Sequence, residues 1–322
     1  MYKSLFLRRL MQVFRDLKQL PQFANSVITI GMFDGVHSGH RDIIQKLIEL
    51  AKETASETTI ITFHPHPRHI IAPGQPVFYL TTLDEKLNIL QSLNISNVIV
   101  VPFSREFSEM DAMDYAENFL IKNFNPKCIV FGYDHKFGKN REGDIHLLKS
   151  IAEKYHIRVE EIPAHIIDSL TVSSSKIRNF LLEGNISEAN NLLGYAYPVS
   201  GIVVKGDQLG RTLGYPTANI HVEDEHKLIP GDGVYVVDVK LKHVNNHYYG
   251  LLNIGTRPTF NKTEKRIEVF IFDFDQTIYG EEITVKFLKF LRKDKKFNSA
   301  DELVSAMDLD KANGLEFINS VL

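Results

Sequence analysis

Five short apolar runs punctuate the first half of this chain: Val27–Ile30, Thr58–Phe63, Asn97–Val101, Lys127–Phe131 and Ile157–Ile162. Between them lie stretches of helical periodicity near 40–52, 82–93, 110–123 and 143–156. The apolarity of the runs is continuous rather than alternating, which predicts strands buried on both faces. Strand and helix in alternation predict an α/β fold, a doubly wound parallel sheet. Ligands in such sheets bind beyond the carboxyl ends of the strands. The polar segments fall at those ends: Phe33–His40 after the first run, His64–Arg68 after the second, Gly132–Gly143 after the fourth.

After about residue 187 the pattern changes. Val199–Val204, Val234–Leu241, Tyr248–Ile254, Ile267–Asp273 and Ile283–Phe290 read as strands, several of them alternating. Turn signals such as Gly231-Asp232-Gly233 and Asn245-Asn246 separate them, which predicts an antiparallel β-barrel. Residues 299–321 read as a terminal helix. With 322 residues the chain is long enough for two domains, here expected as 1–186 and 187–322.

Composition excludes several classes of function. A net charge of −3 and a pI near 6.5 supply no basic field for nucleic acid. No apolar run approaches a membrane span, and Arg8, Arg9, Arg15 and Lys18 interrupt any secretory signal. The single cysteine, Cys128, sits in an apolar run and is expected to be a buried structural thiol. No disulfide can form within the chain, which fits a reducing, cytoplasmic setting. A homo-oligomer is left open.

The segment Gly31-Met32-Phe33-Asp34-Gly35-Val36-His37-Ser38-Gly39-His40 joins the first strand to a helix with apolar residues at Ile43, Ile44, Leu47 and Ile48. Its glycines let backbone approach a ligand, and a helix N-terminus suits a phosphate. It is neither a P-loop nor the dinucleotide fingerprint, by glycine spacing and by the absence of Gly-Lys-Ser/Thr. His37 and His40 could share a metal, though no third ligand is near. A tight turn with incidental histidines is the bland alternative.

Two prolines stiffen Thr62-Phe63-His64-Pro65-His66-Pro67-Arg68, so His66 and Arg68 are either held toward a substrate or part of a rigid surface loop. In Gly132-Tyr133-Asp134-His135-Lys136-Phe137-Gly138, a flavin or adenine ring could lie against Tyr133 and Phe137 beside Asp134. Alternatively the loop tucks both aromatics into the core. Val172-Ser173-Ser174-Ser175-Lys176-Ile177-Arg178 opens a helix. Its hydroxyls are either N-caps or, with Lys176 and Arg178, a cradle for triphosphate.

In the second half, Gly206, Gly210 and Gly214 recur every fourth residue around Arg211, ahead of Pro216-Thr217-Ala218-Asn219. Such a loop brings amides near phosphates. Thr217 and Asn219 share a face if extended and offer neutral oxygens to Mg²⁺. The bland alternative is a glycine-rich hairpin. Glu268, by alternation, shares a face with Phe270 and Phe272. A carboxylate there is costly unless partnered or near solvent. It would suit a general base for an alcohol, or be a strand-end residue reaching water.

Gly-x-Phe-Asp-Gly-Val-His-x-Gly-His, Thr-Phe-x-Pro-His-Pro and Ser-Ser-x-x-Ile-Arg, in that order, resemble the nucleotidyltransferase superfamily. Within it they resemble the FMN adenylyltransferase module of the prokaryotic bifunctional riboflavin kinase/FMN adenylyltransferases (FAD synthetases). Pro-Thr-Ala-Asn in a glycine-rich loop, Gly233-Val234-Tyr235, Asn253-Ile254-Gly255-Thr256-Arg257-Pro258-Thr259-Phe260 and the Glu268 strand before Tyr279-Gly280 resemble riboflavin kinase. The resemblance spans about residues 11–322. It implies ATP binding at Gly31, Phe33, Asp34, Gly39, His37 and His40, with Ser174, Ser175 and Arg178 stabilising the departing pyrophosphate. It further implies Mg-ATP at Thr217 and Asn219, and activation of the ribityl 5′-hydroxyl by Glu268. Ser175 stands where Thr is more usual, His135 where an aromatic is, and Gln276-Thr277 where Gly-Asp is. The expected ligands are riboflavin, FMN, FAD and ATP, with Mg²⁺ as cofactor. Two rivals are a nucleotidyltransferase for another phosphorylated substrate, which needs no kinase barrel, and a non-catalytic flavin sensor, which needs no base.

Overall fold

The apolar runs become the core of a parallel sheet. The computed structural model describes residues 10–321 apart from 24, 76, 134, 164–171, 207–209, 211–212, 245 and 259–262. In chain order the first unit contains β1 (Gln12–Phe14), β2 (Ser26–Ile30), α1 (Ser38–Glu53), β3 (Glu57–His64), α2 (Pro67–Ile71), α3 (Leu83–Ser92), β4 (Asn97–Pro102), α4 (Arg105–Ser108) and α5 (Ala112–Asp114). A wide π-type helical segment, Tyr115–Lys122, continues α5. Then come β5 (Pro126–Gly132), α6 (Ile145–Lys154) and β6 (Arg158–Ile162).

The strand order is β1-β4-β3-β2-β5-β6, and every pairing is parallel. The chain steps from β2 to β3 and β4 on one side, then crosses to β5 on the other. The β2/β5 junction is therefore the point where strand order reverses and a crevice opens at the carboxyl ends. Layers of side chains fill both faces, with Ile28, Ile61, Ile99 and Ile129 on one and Val27, Ile60, Val98 and Val130 on the other. Cys128 is in the second layer, and burial pushes its thiol up to about 11, so it stays protonated and inert. The edge strand β1, half-exposed with no apolar run, carried no strand signal in the sequence.

The second unit begins at Ser174 and the first ends at Ser173. The helix α7 (Ser174–Leu182), which the sequence groups with the first domain, packs against α8 (Ile186–Leu193) within the second unit. There follow β7 (Pro198–Val204), β8 (Ala218–His221), β9 (Gly233–Leu241), β10 (His247–Pro258), β11 (Thr263–Ile271), β12 (Glu282–Arg292) and α9 (Ala300–Val321). The strands close a barrel in the order β10-β11-β8-β7-β12-β9, with antiparallel pairings throughout. Short and polar, β8 escaped the sequence reading, yet it completes the closure.

Val236, Leu251 and Phe272 on the barrel's outer wall are covered by Ile318 and Phe317 of α9. Gly314 permits this approach, since a Cβ there would lie 3.1 Å from Leu251. A second anchor is ionic: Arg292 of β12 grips Asp310 of α9 with its Nε at 3.0 Å and its Nη2 at 2.7 Å. Asp310 is nearly buried, whereas a quarter of Arg292 reaches solvent, 25% of its side chain. Removing one partner of a buried pair is costly because the other charge stays behind. Asp310→Asn should therefore lower the unfolding free energy of this unit by about 2 kcal/mol, below the usual buried-pair loss because Arg292 can turn to water. Urea unfolding of the full chain, followed by a probe in the barrel, checks it; an unchanged midpoint would show the pair to be energetically idle.

Candidate active sites

The turn after β2 uses backbone conformations that few residues accept. Phe33, Gly35 and Val36 have positive φ values of 47°, 79° and 38°. Gly35 accepts this freely, whereas β-branched Val36 is strained there. The strain buys a fixed geometry: Phe33 and Val36 bury in the core, and the chain enters α1 with His37 at its N-cap and His40 in its first turn. The two imidazoles stack at 3.7 Å between centroids, inclined by 17°, and the Phe33 ring lies 5.1 Å from His40. Stacking turns ring faces toward each other, a poor arrangement for sharing one metal ion. Among the described residues no group of three or more His, Cys, Asp or Glu is placed to hold a metal.

Burial, then His37 and the Lys86 ammonium, hold His40 well below the ordinary imidazole range. His40 is thus neutral at pH 7, and its Nδ1 has no hydrogen-bond partner among the described residues. A consequence for stability follows. In the unfolded chain this histidine takes up a proton below about pH 6.5, the unperturbed value, whereas the folded one resists it. Its contribution to stability is complete above that pH and is lost as pH falls below it. Urea midpoints at pH 7.5 and 5.5 should fall less in His40→Gln than in the parent; equal falls would show that His40 titrates normally.

Asp34 points into the protein, its Oδ1 accepting the backbone amides of Leu80 at 2.9 Å and Thr81 at 3.2 Å. It holds the turn against the segment before α3. That helix starts with a reciprocal cap: Glu85 N–H donates to Thr82 Oγ1 at 3.2 Å, and Thr82 N–H donates to Glu85 Oε2 at 3.0 Å. The cap delivers Lys86 beneath the turn, where its Nζ donates to the Met32 carbonyl at 2.8 Å and to Thr62 Oγ1 at 3.3 Å. Burial pulls its ammonium down to about 8, against the raising influence of Asp34. Lys86 had no place in the sequence reading. Its signal was a lysine in the apolar stripe of Leu83, Leu87 and Leu90.

A cavity of about 710 Å³ opens where β2 and β5 end. Gly31 and Met32 form one wall, His66 and Arg68 another, and His135, Phe137 and Arg141 a third. His66 caps α2, its Nδ1 accepting Arg68 N–H at 3.1 Å, and stacks over Tyr79. Phe137 is buried against Tyr115, with centroids 5.1 Å apart, while Tyr133 is 40% exposed and outside the cavity lining. The tucked-loop alternative thus describes Phe137 and fails for Tyr133. Asp134 lies outside the described residues.

In the second unit, Gly206 and Gly210 press against the residues they precede. A Cβ on Gly206 would lie 2.2 Å from Asn219 Nδ2, and one on Gly210 2.3 Å from the Tyr215 carbonyl and 3.5 Å from Thr217 Oγ1. Gly214 turns with φ 81°. Arg211 lies outside the described residues. Asn219 on β8 faces Glu268 on β11, and Glu268 faces Asn253 on β10. Glu268 has the partner its position demands: Arg266 Nη1 lies 3.5 Å away, and 29% of the carboxylate side chain meets solvent. Thr217 lies between two cavities. One, about 270 Å³, is walled by Pro216, Val269 and the loop Phe274–Tyr279, including Gln276 and Thr277. The other, about 260 Å³, lies between the barrel wall and α9 and includes Glu268, Phe270, Leu251 and Asn253.

These two constellations match known proteins over corresponding stretches. The FAD synthetase family model matches residues 20–176 and the riboflavin kinase model residues 193–318. A bifunctional riboflavin kinase/FMN adenylyltransferase of Listeria monocytogenes is 35% identical over 296 residues, covering 91% of this chain and 92% of that one. Its counterpart in Escherichia coli K12 is 35% identical over 309 residues, covering 96% and 97%. The chain belongs to the bifunctional riboflavin kinase/FMN adenylyltransferase family. A crystal structure described as a macrolide-efflux protein from Streptococcus pneumoniae has the same fold, with TM-score 0.86 and 32% identity over 94% of this chain and 98% of that one. Among the described residues here, no helix is long and apolar enough to cross a membrane.

Within this family frame, Ser174, Ser175, Lys176 and Arg178 fall on the first turns of α7. Ser175 and Lys176 are exposed, and the Lys176 ammonium also lies 5.8 Å from the Phe180 ring centre. Asn253 belongs to a motif that carries the resemblance, yet only strand register reveals that it faces Glu268.

Proposed function

We propose that this protein makes FAD from riboflavin in two ATP-dependent steps, one in each unit, in the cytoplasm. In the barrel, Glu268 takes the proton of the ribityl 5′-hydroxyl. The freed oxygen attacks the γ-phosphorus of ATP, giving FMN and ADP. In the α/β unit, an oxygen of the FMN phosphate attacks the α-phosphorus of ATP, and pyrophosphate leaves to give FAD. That nucleophile is already ionised, so the second step needs positioning and charge stabilisation rather than a base.

The observation that carries the reading is the place of Thr217. Phosphoryl transfer needs donor and acceptor side by side, and Thr217 lines both barrel cavities, with Glu268 on the side whose wall is mostly apolar. The apolar part, with Leu213, Val234, Leu251 and Phe270, suits a flavin ring. The neighbouring cavity suits ATP. Thr217 and Asn219 fit Mg²⁺ by donor chemistry: both bring hard, neutral oxygens, and Gly206 and Gly210 let the loop backbone pack directly against this segment. When bound, Mg²⁺ supplies neutralising charge to the ATP phosphates. In the α/β unit, neutral His40 with the α1 amides is suited to donate hydrogen bonds to phosphate oxygens. The 710 Å³ cavity, with Arg68 and Arg141 among its walls, suits FMN.

Purified protein with riboflavin and Mg-ATP, sampled over time and separated chromatographically, tests this. FMN should appear first and FAD later. No conversion of riboflavin would reject the reading, and FAD formed only from supplied FMN would reject its kinase half.

A further inference from the structure

We infer that Asn253 contacts the substrate in the kinase half, its Oδ1 accepting a ribityl hydroxyl and so setting the 5′-hydroxyl against Glu268. The inference rests on the riboflavin kinase reading above and adds to it a residue that orients the acceptor.

Strand register supplies the geometry. Asn253 of β10 pairs with Glu268 of β11, and Glu268 pairs with Asn219 of β8. Directly opposed side chains on adjacent strands are near neighbours. The three residues therefore make one polar rung across three strands of the barrel's outer wall. Asn253 and Glu268 both line the cavity under α9, amid largely apolar walls.

Asn253 Oδ1 is buried and has no hydrogen-bond donor among the described residues. The barrel does not need it for pairing, because β10 is held to β9 and β11 by backbone bonds on either side. A buried acceptor left unsatisfied weakens a fold, so its retention on the wall of a substrate cavity calls for a partner that arrives with the substrate. Riboflavin brings the right one. Its side chain carries hydroxyls on successive carbons, so with the 5′-hydroxyl at Glu268 a neighbouring hydroxyl falls in front of Asn253.

The test uses two variants of the full chain, Asn253→Leu and Asn253→Ala. Leu keeps the volume and removes the acceptor; Ala removes the acceptor and opens space. Both should lower kcat/KM for riboflavin phosphorylation about tenfold or more, the loss expected when a site built to bond a hydroxyl no longer can. Neither should slow conversion of supplied FMN to FAD, and Asn253→Leu should melt no lower than the parent, since it deletes an unsatisfied group. Undiminished kcat/KM in Asn253→Ala would overturn the inference, because a loss confined to Leu is steric. A lower melting temperature for Asn253→Leu would also overturn it, by marking Asn253 as a structural residue. A parent without kinase activity would instead reject the underlying reading.

Discussion

Glu268→Gln should slow riboflavin phosphorylation a hundredfold or more while supplied FMN still becomes FAD near the parental rate. The asymmetry comes from the two nucleophiles. A primary alcohol must lose its proton as it attacks phosphorus, whereas the FMN phosphate is already an anion. General-base removal costs a factor within 10²–10⁴, roughly. Glutamine keeps the size and the hydrogen-bonding reach toward Arg266, 3.5 Å away in the parent, so the barrel should fold. A structural Glu268 would behave in the opposite way, with a lower melting temperature and an intact rate in the cold. Both half-reactions measured on one preparation, beside a melting curve, separate the two. Full kinase activity in the variant would remove Glu268 from the mechanism.

His40→Ala should slow FAD formation from FMN by a hundredfold or more and leave FMN formation from riboflavin intact. The ring is already fixed by the His37 stack and by Phe33, so it costs no reorganisation when charge develops on the phosphates. Losing one such preorganised donor typically costs about 10²–10³ in rate. Because burial and Lys86 keep the ring neutral, its contribution is a directed hydrogen bond more than a charge. His40→Asn, which can still donate, should therefore retain more activity than His40→Ala. If both half-reactions fell together, misfolding or a shared ATP site would be the explanation.

Much of the architecture was legible because strands buried on both faces must be largely apolar, and the central strands β2 to β5 are, whereas the edge strand β6, Arg158–Ile162, carries three charges and is half-exposed. The elements that escaped, β1 and β8, have three and four residues, and neither is an unbroken apolar run. Their strand state comes from partners: β1 from Asn97–Ile99 of β4, β8 from β7 and β11. A helix start at Ser174 was readable from its hydroxyls, but which unit it packs with was not, since packing depends on surfaces far away in the chain.

The site divides along the same line. By itself the sequence determined which chemical groups this protein holds and where they sit along the chain: two histidines at a strand-turn-helix junction, a Thr/Asn pair behind a glycine-rich loop, a glutamate among aromatics. Those choices are local, dictated by turn geometry and by the residue types the chemistry requires. Only the tertiary structure decided what surrounds them. It turned Asp34 inward to the amides of Leu80 and Thr81, and slid Lys86 under the Met32 carbonyl. It also lined up Asn253, Glu268 and Asn219 across three strands. Lys86 is 54 residues from the carbonyl it holds, and Asn219 is on a strand that exists only by pairing. Burial, register and electrostatic environment arise from such distant contacts, which no window of local sequence contains.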